Sequence, residues 1–207
     1  MTISGLDEIP LQFDPKRRVG YESAKLWRQR CESGFWNAFI RGPNIIDIGY
    51  RGGTLDALPL HKCARGFETG DYDGLNLPFP DGWADAVHAS HLVEHITPPE
   101  IYIQEWFRVL KIGGHMILFV PHCMLYERRY TVPPSRFSPE HLAAYSPASL
   151  LAMIERSLVS NTYRIRHFKD QDTGYDYSLP KETHPVGCLE MELVIERITP
   201  PTWWVDP

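Results

Sequence analysis

Short apolar runs alternate with longer amphipathic segments along the chain. The runs "NIIDIG", "ADAVHAS" and "HMILFVP" carry few charged residues, and glycine or proline closes two of them. This pattern is typical of strands that are buried on both faces of a sheet. "CARGFE" is predicted as a further short strand, and "TYRIRHF" and "CLEMELVIERI" are strand-like segments near the end of the sequence.

The segment "TPPEIYIQEWFRVLKIGG" carries a full set of helix signals. Thr97 is predicted to cap the helix, Pro98 to occupy its first position and Glu100 to complete a capping box, while Gly113 and Gly114 end it. Apolar residues at helical spacing predict one or two helices in "YESAKLWRQRCESGFWNAFIRG" and another in "PASLLAMIERSL".

The alternation of strands and helices predicts an α/β fold. We expect a mainly parallel, Rossmann-like sheet with helices on both faces and an antiparallel strand at its C-terminal edge. A chain of 207 residues with 43% hydrophobic content is long enough for one domain. The predicted organisation is a single domain over residues 1–207, with N-terminal helices in residues 1–42 and a substrate-loop insertion at about residues 121–146.

Charge and cysteine content narrow the class of partner. The net charge of -5 and a pI of about 6.0 argue against a surface for nucleic acid or anionic membrane, so the expected partner is a small-molecule substrate or another protein. The four cysteines form no C-x-x-C pair, and no apolar run reaches the length of a membrane span. Without a recognisable targeting segment at the start, the predicted location is the cytoplasm.

The chemistry is expected where the strands end. Open α/β sheets bind ligands at the carboxyl ends of their strands, which here are followed by "DIGYRGG", "GFETGDYDG", "ASHLVEHI" and "VPHCMLYERR". The blocks "NIIDIGYRGG", "DGLNLPFPDGWADAVHASHLVEHI" and "EWFRVLKIGGHMILFVP" resemble, in order and spacing, the seven-stranded, Rossmann-like class of S-adenosylmethionine-dependent methyltransferases. The resemblance is strongest to the small-molecule branch and covers roughly residues 44 to 121. It implies S-adenosylmethionine as the cofactor.

The resemblance also implies which turns hold the cofactor. Glycine after the first strand lets the backbone approach a ligand, and an acidic residue after the second strand accepts hydrogen bonds from ribose hydroxyls. Glu68 and Asp73 would bind the ribose and the adenine side, although both are also ordinary turn residues. The full predicted cofactor set is Asp47, Gly49, Arg51, Gly53, Glu68, Asp73 and Ser90.

The chain departs from the family pattern at three places. Arg51 stands where the family has its middle glycine, so its side chain either fills the cofactor space or pairs with the cofactor carboxylate. The first helix of the fold is poorly supported, because "TLDALPLHKCARG" is short and contains Pro59. The short segment between Glu68 and Asp73 predicts that one helix-strand unit is absent.

Residues 91–95 spell H-x-x-E-H, a pattern of one class of zinc peptidases. In those enzymes both histidines share the face of one helix, whereas Pro98 and Pro99 here limit any helix to about a turn and a half. A third ligand is also needed, and Glu190 and Glu192 have no special spacing. The sequence therefore predicts no metal site and no stoichiometric zinc in the purified protein.

The catalytic candidates are two histidines at strand ends. Methyl transfer is mainly a matter of positioning, and a base is needed only if the acceptor is a hydroxyl or an ammonium group. His91 and His122 are predicted to fill that role, because the ordinary histidine pKa lies near working pH. His95 is expected to cap and pack the short helix instead.

The long segment after "HMILFVP" is predicted to meet the acceptor, since loops of this length are often lids or binding loops. Its predicted substrate-binding residues are Arg128, Arg129, Arg136 and Tyr126. Paired arginines favour phosphate or carboxylate, so a small polar acceptor such as a sugar or phosphorylated metabolite is expected. Alternatively, Arg128 and Arg129 pair with surface acids or with the partner in a homodimer.

Two other functions remain open at this stage. Arg51 motivates a catalytically degenerate methyltransferase-fold protein that only binds a partner. A nicotinamide-dependent oxidoreductase on a similar sheet is disfavoured, because Arg51 breaks the G-x-G-x-x-G fingerprint. Trp203 and Trp204 either cover an apolar patch or contribute to a homodimer.

Overall fold

The structure is a computed structural model that describes residues 10–68 and 75–203 and centres on a six-stranded sheet. Its strand order is β2-β1-β3-β4-β6-β5, with β1 to β4 parallel and β6 antiparallel to both of its neighbours. The predicted Rossmann-like α/β class is thereby confirmed. The strands are β1 Ile45–Ile48, β2 Arg65–Phe67, β3 Ala84–Ser90, β4 Leu110–Pro121, β5 Tyr163–Gln171 and β6 Glu190–Arg197.

Helices cover both faces of the sheet. Successive strand residues point to opposite sides, so each buried strand packs against helices on both faces. Ile45 packs with Trp27 and Trp36 on one face, and Ile46 packs with Trp106 and Ile154 on the other. The helices are α1 Tyr21–Ala24, α2 Trp27–Glu32, α3 Phe35–Phe39, α4 Pro99–Val109 and α5 Pro147–Ser157, and a 3₁₀ helix spans Val93–His95. Among the residues described, none of these helices has the length and apolarity to cross a membrane.

The helix boundaries correct part of the sequence prediction. The N-terminal segment forms three short helices instead of one or two. Pro98 is the N-cap of α4 and no side chain caps it, so the capping box predicted for Thr97 and Glu100 is wrong. The helix ends at Val109, before the predicted Gly113, because Leu110 adopts an extended backbone and begins β4.

The connection from β1 to β2 contains no helix, as the short segment with Pro59 predicted. The carboxylate of Asp47 accepts the backbone N–H of Leu60 at 2.7 Å, and Gly49 N–H donates to Phe67 O at 2.8 Å. These bonds hold the loop against the strand ends. β2 is the edge strand of the sheet. The described residues therefore also lack the helix-strand unit that the sequence predicted to be absent.

A buried charge cluster joins the N-terminal helices to the last strand. Arg30 is 3% exposed and lies between Glu190 and Glu192 on β6, with Nη2 at 2.8 Å from Glu192 Oε1 and in contact with Glu190 Oε1. Its guanidinium carbon lies 3.8 Å from the centre of the Phe119 ring. His167 Nε2 completes the cluster at 2.8 Å from Glu192 Oε2. Because each charge is buried, each needs the others in place.

Glu192 makes the stability of the fold depend on pH. Burial alone would raise the pKa of Glu192, but the His167 hydrogen bond and the Arg30 charge lower the pKa from 4.5 to about 2. The ionised carboxylate therefore stabilises the fold above about pH 4.5 and loses that contribution as the pH falls toward 2. We expect Glu192→Gln to lower the free energy of unfolding at pH 7 by about 1 to 3 kcal/mol.

The measurement is urea unfolding of wild type and variant at pH 7, 5 and 3. The difference between the two proteins should shrink below about pH 4.5, where Glu192 of the unfolded wild-type chain begins to bind a proton. Glu196→Gln is the matched control on the same strand, because Glu196 pairs with a half-exposed Arg166. That control should change stability by less than about 1 kcal/mol. An equal and pH-independent loss in both variants would contradict the account.

Candidate active site

A polar cavity of about 270 Å³ opens at the carboxyl ends of β1 and β3. This is where the sheet order reverses direction, the usual ligand site of an open α/β sheet. Glycines form one wall, and imidazoles, carboxylates and hydroxyls form the rest. The lining residues are Gly20, Glu22, Ser23, Gly49, Tyr50, Gly52, Gly53, Ser90, His91, Glu94, His95, Tyr126, Ser138 and His141.

The glycine turn after β1 requires glycine for its backbone. Gly49, Gly52 and Gly53 have φ angles of 68°, 48° and 79°, a region that other residues rarely adopt. The segment before α1 crosses this turn at Gly20, where a Cβ would lie 2.7 Å from Tyr50 O. The close approach closes one side of the cavity with backbone alone.

Arg51 lies at the outer side of the turn. Its backbone N–H donates to Glu68 Oε1 at 2.6 Å, and its Nε donates to the Tyr50 hydroxyl at 3.1 Å. The side chain is exposed and does not line the cavity. The alternative in which Arg51 fills the cofactor space therefore has no support in this geometry, and pairing with a cofactor carboxylate stays a prediction.

The other predicted cofactor residues are distributed unequally. Gly49, Gly53 and Ser90 line the cavity, and the buried Ser90 hydroxyl has no hydrogen-bond partner among the described residues. Asp47 is not brought there, because its carboxylate binds Leu60 N–H and His88 Nδ1, the latter at 2.7 Å. Asp73 lies outside the described residues.

His91 is the predicted catalytic residue that the structure does bring into the cavity. It follows β3 with a φ of 50°, and its Nε2 lies 2.9 Å from Glu190 Oε2. Arg30 binds the other oxygen of Glu190. Burial opposes charge on His91, but the Glu190 hydrogen bond and the nearby Glu94 carboxylate outweigh it and raise the pKa of His91.

The partner of His91 is an ionised carboxylate. Burial would raise the pKa of Glu190, yet the His91 hydrogen bond and the Arg30 charge lower that pKa. A carboxylate that has lost its proton can only accept, so the Nε2 of His91 carries the donated hydrogen. The arrangement leaves Nδ1 as the basic nitrogen of neutral His91. Such a carboxylate–histidine pair can take a proton from a bound hydroxyl.

Glu94 is the most unusual side chain of the cavity. It is 1% exposed, and neither carboxylate oxygen accepts a hydrogen bond from a described group. Burial raises its pKa above the ordinary value. The nearest histidine nitrogens are His91 Nδ1 and His95 Nε2, both 3.7 Å from Oε1, and His141 Nε2 at 3.9 Å.

The second predicted base does not reach the cavity. His122 follows β4, and its Nδ1 accepts the Met124 N–H at 3.1 Å. Tyr126 does line the cavity, with its ring 5.0 Å from that of His141. Burial, followed by the charge of Glu127, raises the pKa of Tyr126 to about 12, so its hydroxyl stays protonated.

The predicted substrate-binding arginines hold the long loop together. Arg128 donates to Tyr175 Oη at 3.2 Å and to the carbonyl oxygens of Pro180 and Thr183. Arg129 donates to Pro134 O at 2.8 Å, and Arg136 donates through its backbone to Glu127. None of the three lines the cavity. Substrate contact by these three arginines stays a prediction, and the observed hydrogen bonds favour a role in holding the loop.

Several site residues escaped the sequence analysis. The pair Glu190 and Glu192 carried a usable signal, because two glutamates two residues apart share one face of an otherwise apolar strand. Arg30 gave no such signal, since its partners are 160 and 162 residues away. Glycine is needed at position 20 only because the chain crosses the turn after β1 there, which the local sequence does not reveal.

The comparisons with known proteins agree with this geometry. Residues 44–118 match a family model described as a methyltransferase domain. A search of curated proteins by sequence found no match. Solved structures give the fold. One is a complex of a methyltransferase activator and a candidate methyltransferase from Haloferax volcanii, which matches with a TM-score of 0.56 at 13% identity over 86% of this chain and 94% of that one.

Two further structures are S-adenosylmethionine-dependent methyltransferases. The protein from Aquifex aeolicus matches with a TM-score of 0.51 at 14% identity, over 90% of this chain and 91% of its own. The protein from Archaeoglobus fulgidus matches with a TM-score of 0.51 at 13% identity, over 85% and 94%. The methyltransferase-domain match spans β1, β2, β3 and most of β4, and it includes the ends of β1 and β3 at which the cavity opens. Residues 44–118 therefore match a methyltransferase domain, and the fold is the one that these S-adenosylmethionine-dependent methyltransferases share.

Proposed function

We propose that this methyltransferase transfers a methyl group to a hydroxyl of a small, polar, sugar-like acceptor bound in the cavity. The observation that carries the proposal is the His91–Glu190 pair, which faces the cavity beside the glycine turn. A base held in this way is needed for a hydroxyl acceptor. The polar walls supply hydrogen-bonding partners for further hydroxyls of the same molecule.

The residues at the glycine turn fit S-adenosylmethionine. A Cβ on Gly53 would meet nothing within 4 Å, so the turn leaves open space there. The unpartnered Ser90 hydroxyl offers a hydrogen bond at the end of β3. Glu68 uses one carboxylate oxygen for Arg51 N–H, which leaves the other as an acceptor for ribose hydroxyls. When bound, the cofactor supplies a methyl group activated by a positively charged sulfur.

The residues of the chain supply positioning and proton transfer. Nδ1 of neutral His91 would take the proton of the acceptor hydroxyl as that oxygen receives the methyl group that the bound cofactor would supply. Glu190 keeps the hydrogen on Nε2 and offsets the positive charge that His91 gains. Arg30 fixes Glu190 from behind, so the base is aligned before the acceptor arrives.

The charges of the cavity favour a neutral acceptor over a phosphorylated one. Its acidic lining residues are Glu22 and Glu94, whereas no arginine or lysine is among the described lining residues. An anionic phosphate would find no arginine or lysine partner among those residues. The arginines that suggested phosphate are bound to loop carbonyl groups and to Glu127. The sugar-like alternative is therefore the one we propose.

Removal of the Glu68 carboxylate should weaken cofactor binding. Glu68→Ala deletes both the ribose acceptor and the bond that holds Arg51 N–H, so we expect S-adenosylhomocysteine to bind about 1.5 to 3 kcal/mol more weakly. Calorimetric titration measures the loss, with Glu32→Ala as an exposed glutamate control. Unchanged affinity in Glu68→Ala would remove Glu68 from the cofactor site.

Loss of the base should slow catalysis without weakening the cofactor complex. We expect His91→Asn to lower kcat by about 100-fold or more and to leave S-adenosylhomocysteine affinity within about threefold of wild type. His122→Asn is the matched control, because His122 does not line the cavity. Release of S-adenosylhomocysteine is followed with panels of neutral sugars, sugar phosphates and amines.

The acceptor panel also separates the alternatives. Turnover with sugar phosphates or amines alone would contradict the proposed acceptor class. A larger loss of kcat in His122→Asn than in His91→Asn would show that His91 is not the base. Cofactor binding without turnover on any panel member would favour the degenerate, binding-only protein. Trp203 is exposed while Trp204 lies outside the described residues, so the homodimer stays a prediction.

A further inference from the structure

Glu94, His95 and His141 form a cluster of metal-ligating groups at one end of the cavity. One donor atom from each residue lies within 4.8 Å of the other two. Glu94 and His95 come from the 3₁₀ helix, whereas His141 comes from the long loop after β4. Three ligands from one carboxylate and two imidazoles are the usual protein contribution to an open divalent metal site.

The burial of Glu94 without hydrogen-bond donors favours a bound cation. A buried carboxylate without donors is strongly disfavoured unless a positive charge compensates it or it binds a proton. Neither oxygen of Glu94 accepts a hydrogen bond from a described group, although three imidazoles surround it at 3.7 to 3.9 Å. Those separations exceed a hydrogen bond but match two atoms that bind the same ion from different sides.

Each histidine is held with one nitrogen facing Glu94. His95 Nδ1 lies 3.1 Å from Glu140 O, a group that can only accept, so this nitrogen carries the hydrogen. His141 Nδ1 lies 2.9 Å from Glu127 Oε1. In both rings the Nε2 atom faces Glu94. A carboxylate or carbonyl on the far nitrogen is the arrangement that orients metal-binding histidines.

The loop is fastened to the 3₁₀ helix at this point. Backbone N–H groups of Leu142 and Ala143 donate to Glu94 O at 2.8 Å and 3.1 Å. Glu127 is itself fixed by Ser135 and by Arg136 N–H, the latter at 2.7 Å. The residues that support His141 thus belong to the same loop as His141 itself, and arginines of that loop bind its backbone carbonyl groups. The cluster is therefore built before any ion binds.

We propose that Glu94, His95 and His141 bind one first-row divalent cation, such as Mn²⁺, Co²⁺ or Zn²⁺, beside the methyl-transfer site. Two imidazole nitrogens favour these ions over Mg²⁺ and Ca²⁺, which prefer oxygen ligands. The remaining positions face the cavity, where an acceptor oxygen can bind. An ion there makes a bound hydroxyl more acidic and orients it. That last role rests on the proposed function, whereas the binding of the ion does not.

The sequence prediction of no metal was based on a different set of ligands. It required both histidines of the H-x-x-E-H pattern on one helix, and the proline residues do keep that helix short. The structure instead turns His91 toward Glu190 and recruits His141 from 46 residues beyond His95. A ligand on a distant loop has no spacing rule, so the pattern alone could not reveal it.

The test is a titration of metal-free protein with Co²⁺, without cofactor or acceptor. We expect one Co²⁺ per chain, visible-range absorption typical of nitrogen and oxygen ligands, and competition by Zn²⁺ and Mn²⁺ but not by Ca²⁺. Glu94→Gln and His141→Gln should each weaken Co²⁺ at least about 100-fold, more than changes outside the ligand shell. His184→Gln is the matched control, since its exposed ring lies outside the cluster.

Thermal unfolding separates lost binding from a lost fold. Metal-free Glu94→Gln should melt no lower than metal-free wild type, because the change removes a buried carboxylate without donors. Saturating Zn²⁺ should then raise the Tm of wild type and His184→Gln but not of Glu94→Gln. No Co²⁺ binding by wild type, or equal binding by Glu94→Gln, would overturn the proposal. Metal binding without methyl transfer would instead reject only the proposed function.

Discussion

The ion cluster of Arg30 with Glu190 and Glu192 is the interaction on which the site depends. It lies between the N-terminal helices and β6, and both carboxylates point to one side of the sheet from the strand next to its edge. Burial makes such charges unfavourable unless all partners are in place. One of those partners, Glu190, also binds His91, the residue that follows β3. The fold and the alignment of His91 are therefore maintained by the same few groups.

The glycine turn is supported in an unusual way for this kind of sheet. In Rossmann-like folds a helix normally follows the first strand and fixes the turn. Here no helix follows β1 in the described residues, and two other contacts hold the turn. Glu68 binds the N–H of Arg51, and the chain before α1 packs against the turn at Gly20. The N-terminal segment thus lines the cavity as well as covering the sheet.

The sequence predicted the parts of this protein that depend on local pattern. The buried strands, helix α5, the missing first helix and His91 at a strand end all follow from short-range signals. It failed where distant residues decide the outcome. Pro98, not Thr97, caps α4, and Leu110 leaves the helix to pair with β3. The partners of Arg30, His91 and Glu94 come from other parts of the chain, so neither spacing nor composition identifies them.

The central claim is that cofactor and base meet in one cavity at the carboxyl ends of β1 and β3. A crystal structure of the protein with S-adenosylhomocysteine tests it most directly. The account predicts the ligand against the glycine turn at Gly49 and Gly53, in the same cavity as His91. Binding at another surface, away from His91, would contradict the claim.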